Sequence, residues 1–180
     1  MADPAPRAHR DQLHYSAVLP VAWASRARDE DPLTVSRRHR RNLAALALDS
    51  AAGERPSDET GAAELLRLDA KLNAIMELLA TLHERDVELL PAVPLRFNAH
   101  GIEWKCDAPP EAASPLVVRI HLEAAPALPL ELAATALVLP EPGWAAARFE
   151  GVKAPLAEAI ARMVFREHRR QVADSAGNDK

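Results

Sequence analysis

A run of basic residues is the part of this sequence best suited to hold an anion. Basic side chains occupy every position from Arg37 to Arg41, and the acids Asp29 to Asp31 precede them. Guanidinium groups donate paired hydrogen bonds to phosphates and carboxylates, so this cluster could bind a phosphate or an acidic partner. The simpler interpretation is a solvated basic helix face that the preceding acids neutralise locally. We favour this second interpretation.

Cysteine and histidine add little further chemistry. Cys106 is the only cysteine, which excludes an intramolecular disulfide and is typical of a reducing compartment, so we expect a cytoplasmic protein. Its place beside Trp104 in an alternating pattern predicts a buried thiol rather than a nucleophile. No two histidines are spaced as a ligand pair with a nearby cysteine or acid, so we expect no metal. The histidines are His9, His14, His39, His83, His100, His121 and His168.

Motifs of catalysis are missing from the chain. It has no Gly-x-Ser-x-Gly elbow, no Gly-x-Gly-x-x-Gly fingerprint and no phosphate loop, so we expect neither an enzyme nor a cofactor. The formal net charge of −4 argues against a nucleic-acid partner, which needs a basic surface. No stretch reaches about 20 apolar residues, so we expect no membrane insertion. The polar, proline-rich start does not resemble a signal peptide.

The strongest periodicity lies in a predicted helix over 58–86. Its apolar residues alternate spacings of three and four, which makes an a/d seam over three heptads. The seam consists of Leu65, Leu68, Leu72, Ile75, Leu79 and Leu82. Burying each side chain is worth roughly 1.5–3 kcal/mol, so the stripe must be covered. We predict self-association through this seam, with packing against the chain's own core as the alternative.

Short strands separated by proline and glycine surround the helical region. Leu13 to Ala24 is predicted as an edge strand, because Pro20 cannot donate to a ladder. Thr34 is predicted to cap a helix that runs to about Ser50. Two strands flank a turn at 98–101, and three more lie at about 116–122, 130–139 and 144–152. The pattern predicts a small antiparallel barrel.

The chain closes with a predicted amphipathic helix. Pro155 suits its first turn, and apolar residues follow at helical spacing. The apolar stripe consists of Leu156, Ala159, Ile160, Met163 and Val164. The arginines at its end favour the negative pole of the helix dipole.

Two segments resemble the PilZ domain family. Residues 98–104 read Asn-Ala-His-Gly-Ile-Glu-Trp, and residues 144–152 lead into the last helix. PilZ domains fold as small six-stranded barrels and commonly serve as receptors for cyclic di-GMP. The heptad helix resembles an atypical subgroup that assembles as tetramers through such a helix. The resemblance implies a bacterial-type α+β protein with a six-stranded antiparallel barrel, a C-terminal helix and a long inserted coiled-coil-type helix.

The resemblance also sets the expected domain limits. It implies a PilZ-like domain over 13–172, with a helical insertion over 33–90 that carries the oligomerisation helix at 58–86. Disordered tails are expected at 1–12 and 173–180. The implied function is a signalling adaptor in cyclic di-GMP-linked regulation, a tetramer that contacts an unidentified protein partner.

The ligand motifs of the family match poorly. Ligand-binding members carry Arg-x-x-x-Arg before the first strand and Asp/Asn-x-Ser-x-x-Gly at the following turn. Alignment on Gly101 puts Arg96 where the acid or amide belongs and Asn98 where the serine belongs. Arg37 and Arg41 have the first spacing, but a predicted helix separates them from the turn. We therefore expect no ordinary cyclic di-GMP binding; the alternative is a receptor that uses these five residues.

Overall fold

The computed structural model describes residues 13–52, 72, 75, 90–125, 128–138 and 141–177, with the backbone alone over 171–177. Six strands and two long helices follow one another in this part of the chain. They are β1 (Tyr15–Ser25), α1 (Pro32–Ala52), β2 (Ala92–Phe97), β3 (Gly101–Lys105), β4 (Pro115–Ile120), β5 (Leu130–Leu137), β6 (Trp144–Phe149) and α2 (Ala154–Gly177).

The strands close into an antiparallel barrel in the order β1–β2–β3–β6–β5–β4, and β4 pairs again with β1. The hairpins β2–β3 and β4–β5 are connected directly, whereas β3 and β6 meet across a longer stretch of chain. The two segments that carry the family resemblance are therefore neighbours in the sheet. The predicted α+β class, a six-stranded barrel with a C-terminal helix, is confirmed.

β1 pairs with two neighbouring strands, one after the other along its length. Its first half, Tyr15 to Pro20, pairs with β2, and its second half, Val21 to Ser25, pairs with β4. Pro20 ends the first ladder, and its carbonyl oxygen accepts a hydrogen bond from His121 N–H at 3.1 Å. The prediction of an edge strand was wrong, because the missing N–H of a proline is also tolerated where a strand changes partner.

The barrel interior is filled by alternate residues of the strands. On β4 and β5 these residues are the apolar positions of the period-two pattern, and their side chains are almost fully buried. They are Leu116, Val118, Ile120, Leu130, Leu132, Ala134 and Ala136. Phe97 of β2 and Ile102 of β3 face the same interior with no exposed surface. Each large side chain contributes roughly 1.5–3 kcal/mol of burial, so this cluster holds the ring together.

α1 begins earlier than its sequence suggested. Asp31 is the cap: its Oδ2 accepts a hydrogen bond from Thr34 N–H at 3.3 Å, and its carbonyl oxygen accepts one from Val35 N–H at 3.2 Å. Pro32 occupies the first helical position, where its missing N–H has no cost. The prediction of Thr34 as the cap was wrong, because the aspartate three residues earlier offers a stronger acceptor to the same helix end.

Both helices join the core of the barrel. Ala45 and Leu46 of α1 are buried in the same cluster as the strands, and α1 packs on β5 and on α2. The predicted stripe of α2 is confirmed, with Leu156 and Ile160 among its buried members. α1 falls within the proposed insertion at 33–90, yet it packs as part of the domain. The helical backbone of α2 reaches Gly177, past the expected boundary at 172.

Candidate functional site

The connection between β1 and α1 brings two arginines to one carboxylate. Arg38, in the second turn of α1, places Nη1 2.9 Å from Glu30 Oε2 and Nη2 2.5 Å from Glu30 Oε1. Arg26, directly after β1, places Nη1 3.5 Å from Glu30 Oε2. The three side chains are only 11–13% exposed. Glu30 therefore joins the start of α1 to the end of β1.

These contacts keep Glu30 ionised. The hydrogen bond from Arg38 is the largest cause that lowers the pKa of Glu30 below its ordinary value of 4.5, and burial opposes it. The charges of Arg38 and Arg26 lower the pKa further. The same hydrogen bond raises the pKa of the Arg38 guanidinium. Both partners are thus charged at neutral pH.

Arg26 continues this network to the far end of β6. Its Nη2 lies 2.5 Å from Glu150 Oε2, and the Thr135 hydroxyl donates to the other oxygen of Glu150. Two guanidiniums and two carboxylates balance each other in charge. In the described part of the chain, the Nε atoms of Arg26 and Arg38 are buried without a hydrogen-bond partner. The network therefore has more donors than acceptors.

A neutral contact holds the middle of α1. The Asn42 amide donates to the carbonyl oxygen of Glu131 at 2.7 Å and accepts from the N–H of Glu131 at 2.8 Å. Asn42 is 2% exposed, so both hydrogen bonds form away from water. The asparagine thereby pairs with an outer residue of β5 as a neighbouring strand does. This contact fixes α1 on the barrel wall.

A third contact joins the last turn of α1 to α2. Arg166 pairs with Asp49 and donates through Nη1 to Ser50 Oγ at 3.1 Å. Burial is the largest single influence and raises the pKa of Asp49 above its ordinary value of 3.8, whereas the charge and the hydrogen bond of Arg166 lower it. The charges of Glu167 and Glu123 raise the pKa further. Arg166 therefore does not offset the combined effect of burial and the two acidic neighbours on Asp49.

A small cavity lies beside this contact, between β1, α1, α2 and the β4–β5 loop. Its volume is about 120 Å³, and Tyr15, Asp49 and Arg170 are among the residues that line it. Burial is the main cause that raises the pKa of Tyr15, so its phenol is neutral at physiological pH. Ligand pockets usually span roughly 300–1,000 Å³, so this cavity has the size of a packing space.

The two arginines of α1 named as ligand candidates lie on its outer side. Arg37 is exposed. The Arg41 side chain is 49% exposed and places Nη1 4.0 Å from Glu131 Oε2. Arg38 between them points instead into the network with Glu30. The expected neutralisation of this basic run by the preceding acids is confirmed for that pair.

Arg96, the third ligand candidate, is engaged on the outer face of the barrel. Its guanidinium carbon lies 4.7 Å from the centroid of the Trp144 ring, and its Nε lies 3.9 Å from Glu103 Oε2. The Glu103 side chain is only 7% exposed. A guanidinium over an indole ring gains a cation–π contact in addition to the ion pair. Arg96 thus connects β2 to β3 and β6.

The last two candidates, Asn98 and Gly101, shape the β2–β3 turn. Asn98 Oδ1 accepts a hydrogen bond from His100 N–H at 2.8 Å, and Asn98 N–H donates to the Gly101 carbonyl oxygen at 3.1 Å. An asparagine that bonds two residues ahead in this way is typical of a tight turn. Asn98 is 5% exposed, so its side chain belongs to the turn rather than to the surface.

These contacts place the candidates in two separate groups. Arg41 pairs with β5, whereas Arg96 lies on β2, and these two strands take opposite positions in the ring. The structure brings Arg96, Asn98 and Gly101 together in one hairpin and leaves Arg37 and Arg41 on α1. Ligand binding by the combined set remains a prediction.

Two residues of the predicted seam are described by the structure. Leu72 and Ile75 are helical, and they are 59% and 55% exposed. The other four, Leu65, Leu68, Leu79 and Leu82, lie outside the described residues. The two that are described have the apolar character and the exposure that a surface for association needs.

Sequence reasoning missed the contacts that hold α1, made by Arg26, Asn42 and Asp49 among others. Local signals existed for Asp31 and for Glu30, whose partners Arg26 and Arg38 lie four and eight positions away. Asn42 and Asp49 meet partners 89 and 117 positions away, for which no local signal exists. Among the described residues, no group of three histidine, cysteine or acidic side chains could hold a metal ion. None of the helices in the described ranges combines the length and apolar character needed to span a membrane.

Comparisons with known proteins agree with this architecture. Residues 40–176 match the family described as atypical PilZ domain, cyclic di-GMP receptor. A pathogenic protein from Xanthomonas campestris, described as a new tetrameric PilZ domain self-assembled via an unusual helical bundle, has a similar crystal structure. The TM-score is 0.67 at 23% sequence identity, over 91% of this chain and 92% of that chain. No curated protein matches. Because the family match spans more than half of its residues, the chain belongs to the atypical PilZ domain family.

Proposed function

We propose that this protein is a non-catalytic PilZ adaptor in cyclic di-GMP-linked regulation and that it assembles into tetramers through its heptad helix. The observation that carries the proposal is the exposure of two helical seam residues, Leu72 at 59% and Ile75 at 55%. Apolar seams of this kind are buried between copies of a helix. The tetrameric description of the Xanthomonas relative supports the same assembly. The proposed work is contact with another protein in the cytoplasm.

The state of the ligand turn supports an adaptor that lacks ordinary cyclic di-GMP binding. Arg96 already makes a cation–π contact with Trp144 and an ion pair with Glu103. The Asn98 side chain is hydrogen-bonded within its own turn. A cyclic dinucleotide needs guanidinium forks and polar groups that are free to meet its phosphates and guanines. Recruiting these residues means breaking their present contacts, which weakens any such complex.

Analytical ultracentrifugation of the full chain tests the assembly. We expect the wild-type protein to sediment as a tetramer and Leu72→Asp to dissociate at least about tenfold more readily, since a lost leucine contact of about 1.5–3 kcal/mol exceeds the 1.4 kcal/mol of a tenfold change. Asn73→Asp adds the same charge one position beside the seam and serves as the matched control. It should leave the tetramer intact.

Two results contradict the assembly. One is a wild-type protein that stays monomeric at the highest concentration measured. The other is a tetramer that Leu72→Asp leaves unchanged, because the oligomer is then built from a different surface.

The second candidate function is a cyclic di-GMP receptor, which the description of the matched family favours. Arg37 and Arg41 of α1 are exposed and remain available to phosphates. Isothermal titration calorimetry with cyclic di-GMP separates the two functions. The adaptor predicts no binding heat at micromolar ligand. Heat that disappears in the Arg37→Ala/Arg41→Ala variant establishes the receptor and leaves the assembly to its own test.

A further inference from the structure

Arg26 and Arg38, beside Glu30, have more hydrogen-bond donors than Glu30 can accept. A carboxylate has two oxygens, whereas each guanidinium carries five N–H donors. In the part of the chain that the structure describes, Nε of Arg26 and Nε of Arg38 are buried and unbonded. Leaving a buried donor unpaired is costly, so such groups often mark a place that another acceptor completes.

The local charges favour a second anion once Glu30 moves away. Arg26 then keeps its ion pair with Glu150 and Arg38 loses its ion-pair partner, which leaves an excess of one positive charge. Glu131 also acts on Arg38, but more weakly than Glu30 does, and it is itself shared with Arg41 and Arg119. The surplus charge therefore remains at the Arg26 and Arg38 guanidiniums.

We propose that Arg26 and Arg38 form a phosphate-binding site that Glu30 fills when no ligand is bound. A phosphoryl group brings three acceptor oxygens and up to two negative charges, so it can meet donors that a planar carboxylate leaves unpaired. Glu30 lies in the short connection between Ser25 and Pro32, outside every strand, and can leave without breaking the barrel. The site differs from both the Arg37–Arg41 pair and the β2–β3 turn.

Isothermal titration calorimetry with inorganic phosphate, at constant ionic strength, tests this site on the full chain. We expect weak binding to the wild-type protein. Glu30→Ala should bind phosphate at least about tenfold more tightly, as expected where the competing side chain leaves the site open a tenth of the time or less. Glu158→Ala is the matched control, because it removes a carboxylate from an exposed pair with Arg162. It should leave the phosphate affinity unchanged.

The double variant Glu30→Ala/Arg38→Gln tests the donors themselves. It should lose the affinity that Glu30→Ala gained. Equal phosphate affinity in the wild type and Glu30→Ala overturns the proposal, and so does binding that survives in the double variant. If Glu30→Ala fails to fold, Glu30→Gln keeps the side-chain shape, and a larger phosphate-dependent rise in Tm than in the wild type gives the same answer.

A second ligand distinguishes free phosphate from the phosphate group of a nucleotide. Titration with GMP compares a nucleotide monophosphate with the free anion at the same two arginines. Tighter binding of GMP identifies a nucleotide as the natural ligand, and equal or weaker binding identifies free phosphate; both results uphold the site. The inference does not depend on assembly, so a monomeric protein is tested in the same way.

Discussion

The two ends of α1 are both held by ion pairs, but the carboxylates in those pairs differ. At the N-terminal end, Glu30 receives hydrogen bonds from Arg38 and lies close to Arg26. At the C-terminal end, Asp49 pairs with Arg166, whose charge and hydrogen bond lower its pKa. The two side chains have similar exposed fractions, 13% and 16%, but desolvation is the largest influence on the pKa of Asp49 and not on that of Glu30.

The pKa values of the two carboxyl groups move in opposite directions. Arg38 and Arg26 lower the pKa of Glu30, whereas burial raises the pKa of Asp49 in spite of Arg166. The difference teaches that the balance between desolvation and neighbouring charges decides whether an ion pair stabilises this helix. Two guanidiniums repay the desolvation of one carboxylate, and one guanidinium with two acidic neighbours does not.

The largest effect is expected from Glu30→Gln. Removing this charge leaves two guanidiniums largely buried and under-compensated, so we expect the free energy of unfolding at pH 7 to fall by about 2–3 kcal/mol. Urea denaturation at fixed protein concentration measures it. Glu158→Gln, on an exposed pair, should change stability by no more than about 0.5 kcal/mol.

The stability difference between the wild type and Glu30→Gln depends on pH. Because the folded pKa of Glu30 lies below its ordinary 4.5, its stabilisation is complete above that pH and is lost as the pH falls through the folded pKa. The wild type and Glu30→Gln should therefore converge in acid. A stability difference that stays constant from pH 7 down to pH 3 contradicts the ionic explanation.

Asn42→Ala gives an intermediate effect and supplies a neutral reference between the two charged ends. It leaves the N–H and the carbonyl oxygen of Glu131 without their present partner, so we expect a loss of about 2 kcal/mol in the free energy of unfolding. The loss should be the same at pH 5 and pH 8, because an amide does not titrate. A clear pH dependence would show that Asn42 supports one of the ion pairs.

Asp49→Asn should have the smallest effect, with the opposite sign. The folded pKa of Asp49 lies above its ordinary 3.8, so this group favours folding below that pH and loses the advantage as the pH rises through the folded pKa. At pH 7 we expect the variant to be as stable as the wild type or more stable, by no more than about 1 kcal/mol. Thermal unfolding at pH 4 and pH 7 checks this. Strong destabilisation at pH 7 removes the contrast between the two ends.

Much of the fold could be predicted because its signals are local. The period-two pattern of β4 predicted which of its residues face inward, and Leu116, Val118 and Ile120 are fully buried. The apolar stripe of α2 was predicted on the same principle. Both patterns repeat within a few residues and reflect a single buried face, so no knowledge of the remaining chain is needed.

The contacts of Asn42 and Asp49 in α1 could not be predicted, because they join distant parts of the chain. Arg166 and Asp49 are 117 positions apart, and Asn42 and Glu131 are 89 apart. The basic run was also treated as one unit, although neighbouring residues of a helix point about 100° apart. That rotation separates Arg38, which meets Glu30, from the exposed Arg37.

The change of partner within β1 affects how this molecule can meet others. Along the described chain, every strand of the ring pairs with two neighbours, so no strand offers a whole unbonded side. Addition of a foreign strand, the route by which open sheets recruit peptides or stack into fibrils, is closed to this barrel. Side chains and helices must therefore make its contacts with other molecules. The protein can be concentrated in solution without polymerising through strand edges.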